Sequence, residues 1–269
     1  MIFASDLDQT LMFSSRHFLE TDNNKKRLVE TLDGEKISYM TEEAIKKLKK
    51  IASQVMFVPV TTRTIMQYSR ITIFHEEIVP KYVVTSNGGN ILIDGKIDEY
   101  WSKYIKRKIE DTSIEVDLIL ARFDEIKSEA WFKNGRMADD LFYYCIVERE
   151  QLPLNEIRSF GDWCNDNGWN LSVQGRKVYL VPNAVNKADA VLHIKEKENK
   201  TYLCSSGDSL LDAPLLFKSD FAIAPSQGEL YDNKDSYSVT FTNEAGPQAS
   251  EEILDRILER ITSNEVLFS

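Results

Sequence analysis

Short apolar runs of four to six residues recur along this chain, at 2–5, 55–60, 82–85, 202–205 and 221–224, with helical patterns between them. Continuous runs of that length suit parallel strands buried on both faces, because crossover helices cover the sheet above and below. Residues 238–242 read as a sixth strand, at an edge. Thr41 is placed to cap a helix whose first turn carries Glu42 and Glu43 at the positive end of its dipole. Ala44, Ile45, Leu48, Ile51 and Ala52 then share one apolar face, and 187–195 and 250–261 behave likewise. Strands alternating with helices predict βαβ units and a parallel sheet, an α/β fold.

The middle of the chain breaks that alternation. From about residue 95 to 181 a charged helical stretch leads to a strand near 141–148 and a helix near 155–167. Two strands, 169–173 and 177–181, then face each other across Gln174-Gly175-Arg176. Mixed order of this kind suggests α+β. The expected organisation is a core domain of residues 1–94 and 182–269 with an α+β cap domain, 95–181, inserted into it. Asp33-Gly34 between alternating segments predicts a hairpin hanging just after the first strand.

The net charge of −10 and a pI near 5.0 offer no general attraction for nucleic acid or an anionic membrane surface, so neither is an expected partner. No stretch is apolar enough to span a bilayer, and the first residues lack the basic region of a signal peptide, which predicts a soluble, cytoplasmic protein. Cys145, Cys164 and Cys204 lie far apart in apolar runs and read as buried free thiols. His17, His75 and His193 show no metal-ligand spacing.

Four groups carry candidate chemistry. Asp6-x-Asp8-x-Thr10 ends the first strand, and residues two apart in an extended chain point the same way. Two carboxylates would leave the sheet edge together and suit a hard divalent cation such as Mg²⁺; a solvated turn is the competing reading. Thr61-Thr62-Arg63 follows the second strand, where a hydroxyl and backbone N–H groups can hold phosphate oxygens or simply cap a helix. Lys187 opens a helix, as a neutraliser of phosphate or as a surface lysine. Gly207-Asp208-x-x-x-Asp212 follows the 202–205 strand, with Gly207 for a tight turn and Asp208 for a metal or a helix cap.

In this order the four groups resemble the motifs of the haloacid dehalogenase superfamily of phosphohydrolases. The sequence is most similar to its Cof-like and sucrose-phosphatase-like branch, through Ser5-Asp6-Leu7-Asp8, Thr85-Ser86-Asn87-Gly88-Gly89-Asn90-Ile91 and Val181-Pro182-Asn183-Ala184-Val185-Asn186-Lys187. The resemblance implies a Rossmann-like parallel-sheet core with an inserted cap that closes over the site. It implies catalytic roles for Asp6 as nucleophile, Asp8 as general acid and base, and Lys187 as charge neutraliser. It places Mg²⁺ on Asp6, Asp8 (through its backbone carbonyl), Asp208 and Asp212. Phosphate or substrate contacts fall to Thr61, Thr62, Arg63 and Asn87. Arg63 is equally readable as the partner of an acid, and Asn87-Gly88 as a hairpin turn.

Departures from the pattern are Gln9, where the family often has Gly or Asn, Thr62 in place of the usual Gly, and Leu211 in place of a common Asn. Arg136, Asp139, Arg176 and Lys177, in expected cap loops, are candidates to select the leaving group. The implied activity is Mg²⁺-dependent hydrolysis of a small phosphorylated metabolite, a sugar phosphate first, through an aspartyl-phosphate. A phosphomutase or phosphotransferase, a phosphate-binding sensor and a phospho-receiver are the alternatives; Asp6-x-Asp8 on the first strand argues against the last.

Overall fold

The structure is a computed structural model that describes residues 1–18 and 26–268, by backbone alone at 233 and 264–268. In chain order its strands are β1 (Ile2–Ser5), β2 (Lys26–Leu32), β3 (Glu35–Thr41), β4 (Met56–Pro59), β5 (Tyr82–Thr85), β6 (Asn90–Ile93), β7 (Lys96–Ile97), β8 (Phe132–Ala138), β9 (Phe142–Val147), β10 (Trp169–Gln174), β11 (Lys177–Pro182), β12 (Leu203–Ser206), β13 (Phe221–Ala224) and β14 (Thr240–Phe241). The helices are α1 (Glu42–Gln54), α2 (Ile65–Tyr68), α3 (Ile73–Glu76), α4 (Glu99–Thr112), α5 (Val116–Asp124), α6 (Leu154–Asp166), α7 (Lys187–Lys197), α8 (Ala213–Phe217) and α9 (Gly246–Phe268). No described helix is long and apolar enough to cross a membrane. The chain divides into two compact units, residues 1–97 with 187 onward, and residues 98–186.

The first unit is built on a parallel sheet in the order β14-β13-β12-β1-β4. β1 lies between β4, the next strand of this sheet along the chain, and β12, reached only after the second unit. Connections therefore leave β1 on opposite sides, and a crevice opens beyond its C-terminal end. The Thr41 hydroxyl accepts from Ala44 N at 3.0 Å, so α1 starts where the cap predicts. Its Ala44, Ile45, Leu48 and Ile51 pack with Phe3, Phe57 and the α9 residues Ile253, Leu254, Ile257 and Ile261. α7 and α8 pack on each other, α8 also on β12 and β13 and α7 on β5.

The run at 82–85 differs from expectation. β5 runs parallel to the end of β4, which it meets at the Val60–Val84 bridge, but it falls outside the five-stranded sheet and pairs antiparallel with β6. The cause is local. Ser86, Asn87 and Gly88 have φ of 52°, 57° and 98°, so the chain reverses in a tight turn instead of crossing over. Burial is complete along β5 in either arrangement, which is why an apolar run cannot distinguish them.

The β2–β3 hairpin turns at Asp33 (φ 50°) and Gly34 (φ 82°). Its register shifts between Leu28 and Thr31, a bulge that leaves adjacent Val29 and Glu30 both buried.

The second unit is a four-stranded antiparallel sheet, β10-β11-β9-β8. Ile119, Phe123, Ile157, Phe160 and Cys164 of its helices pack on Cys145, Val147, Val178 and Leu180 of the sheet. Arg136, expected in a loop, lies on β8; that strand is mostly exposed and polar and shows no apolar alternation to read. Lys177 opens β11, whereas Asp139 and Arg176 fall in turns. All three cysteines are free and buried.

Candidate active site

Asp6 leaves the sheet still attached to it: its N–H donates to Ser206 O at 2.9 Å. The small Ser5 and Ser206 side chains, 2.7 Å apart, let β1 and β12 approach without filling the crevice above. Lys187 opens α7 and is 1% exposed. Its Nζ lies 2.6 Å from Asp6 Oδ1 and 2.6 Å from Asp212 Oδ1. Burial disfavours an ammonium, but the two carboxylates outweigh it and hold Lys187 above its ordinary pKa.

Asp208 completes the cluster. Asp6, Asp208 and Asp212 each offer an oxygen within 4.8 Å of the others. Three carboxylates face one ammonium, an excess of two negative charges. Burial, and then repulsion from Asp212 and Asp8, push Asp6 up to about 7 against the pull of Lys187. Burial and the same crowding push Asp208 well above the usual carboxylate range. An all-oxygen donor set carrying two uncompensated negative charges fits a hard divalent cation such as Mg²⁺. Asp212 already uses Oδ1 on Lys187 and Oδ2 on Ser209, whose N and Oγ donate at 3.0 and 2.8 Å. Among the described residues, the hydrogen bonds to Asp6 Oδ2 and Asp208 are long contacts from Thr10 Oγ1, at 3.4 and 3.5 Å.

Asp8 stands apart from that cluster. Its carboxylate accepts two bonds from Arg63, Nε to Oδ2 at 2.7 Å and Nη2 to Oδ1 at 2.8 Å. The other edge of the same guanidinium donates to Glu30, Nη1 to Oε1 at 2.7 Å and Nη2 to Oε2 at 2.9 Å. Between the two readings left open for Arg63, the structure shows pairing with acids.

Thr61 is buried, and its Oγ1 accepts from Arg63 N at 3.1 Å, which leaves the hydroxyl proton to donate elsewhere. Thr62 is half-buried. Asn87 adopts a left-handed backbone and donates its N–H to Thr61 O at 3.0 Å, while Ser86 N donates to Arg63 O at 2.7 Å. The β5–β6 turn thus braces the turn after β4.

Gly207 has no left-handed φ. A β-carbon there would stand 2.4 Å from Asp212 Cβ, so close approach is the reason for glycine. Gly228, which sequence reasoning passed over, backs Asp208 in the same way, 2.4 Å from its carbonyl oxygen. Glu30 and Ser209 were also missed, and nothing in their local pattern marks them.

Comparison with solved structures decides the architecture. Sucrose-phosphatase from Synechocystis, determined with sucrose and phosphate, is similar at a TM-score of 0.68 and 16% identity, over 98% of this chain and 97% of that one. A haloacid dehalogenase-like hydrolase from Bacillus subtilis aligns at 0.55 and 13% identity, over 96% and 91%. A subclass IIB sugar phosphatase of the same superfamily aligns at 0.57 and 12%, over 97% and 99%. The chain has the haloacid dehalogenase fold. At these identities the likeness is one of fold. No protein-family model and no curated protein matches the sequence. Within the haloacid dehalogenase fold described above, the carboxylate cluster, Lys187 and Thr61 all gather at the C-terminal edge of the central strands.

Proposed function

We propose that the protein is a phosphatase that hydrolyses a small phosphorylated metabolite, a sugar phosphate first among them. One observation carries the reading. A buried lysine bridges Asp6 and Asp212, with Asp208 adjacent, at the crevice beyond β1. The fold neighbours, a sucrose-phosphatase and a sugar phosphatase, support the substrate class.

Asp6 is the nucleophile. Its Oδ2, the oxygen not held by Lys187, attacks phosphorus, and the bond from phosphorus to the leaving alcohol breaks as Asp8 gives the alcohol oxygen a proton. Water then attacks the aspartyl-phosphate while Asp8 takes its proton, which releases inorganic phosphate and restores the Asp6 carboxylate. Lys187 offsets the negative charge that would otherwise repel a phosphate from Asp6. The Thr61 hydroxyl and the N–H groups after it orient phosphoryl oxygens, since this chemistry depends on positioning and electrostatics. Asp6 and Asp208, with Asp212 directly or through water, would hold Mg²⁺, which when bound supplies charge neutralisation at the phosphoryl group.

The test is phosphate release from 4-nitrophenyl phosphate and a panel of sugar phosphates, with Mg²⁺ or with a chelator, by wild type and Asp6→Asn. Hydrolysis should require the cation and fall by at least about 10³-fold in the variant. Equal turnover by both proteins would end the assignment.

A further inference from the structure

Glu30 is an unusual place for a charge. Its side chain is fully buried, on a strand of the hairpin outside the motifs that point to the site. A buried carboxylate is costly unless paired. Here one partner, Arg63, leads on to Asp8. Arg63 binds Glu30 with one edge and Asp8 with the other. Ser38 Oγ donates to Glu30 Oε2 at 2.7 Å, and Arg70 lies 3.0 Å from Oε1. Two arginines thus face the carboxyl groups of Glu30 and Asp8. The bulge at Val29–Glu30 turns the carboxylate inward, where regular alternation would send one of the two neighbours to solvent.

A guanidinium held by one edge alone can still rotate about its long stem. Held by both edges, its plane is fixed. Arg63 is 11% exposed and gripped at two points by Glu30, whereas Asp8 is 45% exposed and belongs to a loop leaving the sheet. Of the two acids Asp8 is therefore the one whose orientation needs an external support.

We infer that Glu30 is a positioning residue that acts through Arg63 to aim the Asp8 carboxyl at the leaving-group oxygen. This rests on the phosphatase reading above. Its signature follows from the balance of that step: the proton from Asp8 matters most when the departing alcohol is a poor leaving group and least when it leaves easily as a stabilised phenolate. Misaiming Asp8 should steepen the dependence of rate on the leaving group, whereas general damage to the fold lowers all substrates together.

The experiment compares kcat/KM for 4-nitrophenyl, phenyl and benzyl phosphate in wild type, Glu30→Gln, Arg63→Lys and Arg70→Met, with thermal melts to establish folding. Glu30→Gln and Arg63→Lys are expected to lose about 30-fold or more on benzyl phosphate and less than about threefold on 4-nitrophenyl phosphate, a part of the 10²–10⁴-fold that a positioned acid contributes. Arg70→Met, which removes a contact to Glu30 that does not reach Asp8, should keep the wild-type slope. Parallel losses across the three substrates, or no loss, in Glu30→Gln and Arg63→Lys overturn the inference, and Arg63→Lys decides alone if Glu30→Gln does not fold. A wild type that hydrolyses none of the three, or an Asp6→Asn variant that matches it, removes the phosphatase reading and the inference with it; a changed slope alone bears only on Glu30.

Discussion

At Gly207 a β-carbon would meet both Cβ and Cγ of Asp212 at 2.4 Å. Asp212 cannot retreat, because its two oxygens are held by Lys187 and by Ser209. Gly207→Ala is therefore expected to cost about 1–3 kcal/mol in urea unfolding, the usual penalty of overpacking, and to cut phosphate release sharply. Gly34→Ala serves as contrast. Its space is open, so only the strained φ of 82° counts: about 1 kcal/mol of stability lost and activity retained. Gln9 has the same kind of backbone, with φ of 61°, and contributes its carbonyl to Gln227 at 3.0 Å. Gly or Asn would adopt that backbone with less strain. Gln9→Asn should raise the melting temperature slightly and leave turnover unchanged, since asparagine tolerates this region better.

The hairpin β2–β3 acts as an element by delivering Glu30. Burial alone would push the Glu30 carboxyl up, but hydrogen bonds and charges from Arg63, Ser38 and Arg70 outweigh it and hold its pKa below the ordinary 4.5. A folded-state pKa below the unfolded value means stability that is present above about pH 4.5 and is lost as pH falls through the folded value. Wild type should accordingly exceed Glu30→Gln in urea unfolding at pH 7, and the gap should close on acidification below about pH 4.5; a gap constant from pH 7 to 3 would contradict the pairing. The β5–β6 hairpin works in the same manner, its left-handed turn bracing Thr61 and Arg63 through two backbone hydrogen bonds. Both hairpins shape the site from outside the parallel sheet.

For the molecule as a whole, the cluster gathers three carboxylates around one ammonium, so a cation held there would link binding to folding. Mg²⁺ at about 100 times its dissociation constant should stabilise the fold by about 2.7 kcal/mol, read as a higher melting temperature that a chelator reverses. Asp208→Asn removes one of the crowded charges; its melting temperature without the cation should equal or exceed that of wild type, and the Mg²⁺-induced rise should vanish. The thiols report the interiors of both units. Burial pushes Cys145, Cys164 and Cys204 up to about 12, so a thiolate-specific reagent should label none of them at pH 7 until urea opens the fold.

What the chain determined by itself is what local physics encodes. Apolar runs specify buried strands, Thr41 starts α1, Asp33-Gly34 turns a hairpin, and the four motif groups mark residues that converge at one edge of the sheet. Periodicity and turn chemistry act over a few residues, so they are visible without coordinates. Only the tertiary structure decided that β6 folds back antiparallel on β5, that Gly207 is glycine because of Asp212, and that Arg63 grips two acids. Each of these depends on groups brought together from distant parts of the chain, such as Glu30 with Arg63 through a bulge no pattern announces. A buried charge takes its meaning from its partners, and partners are chosen by the fold.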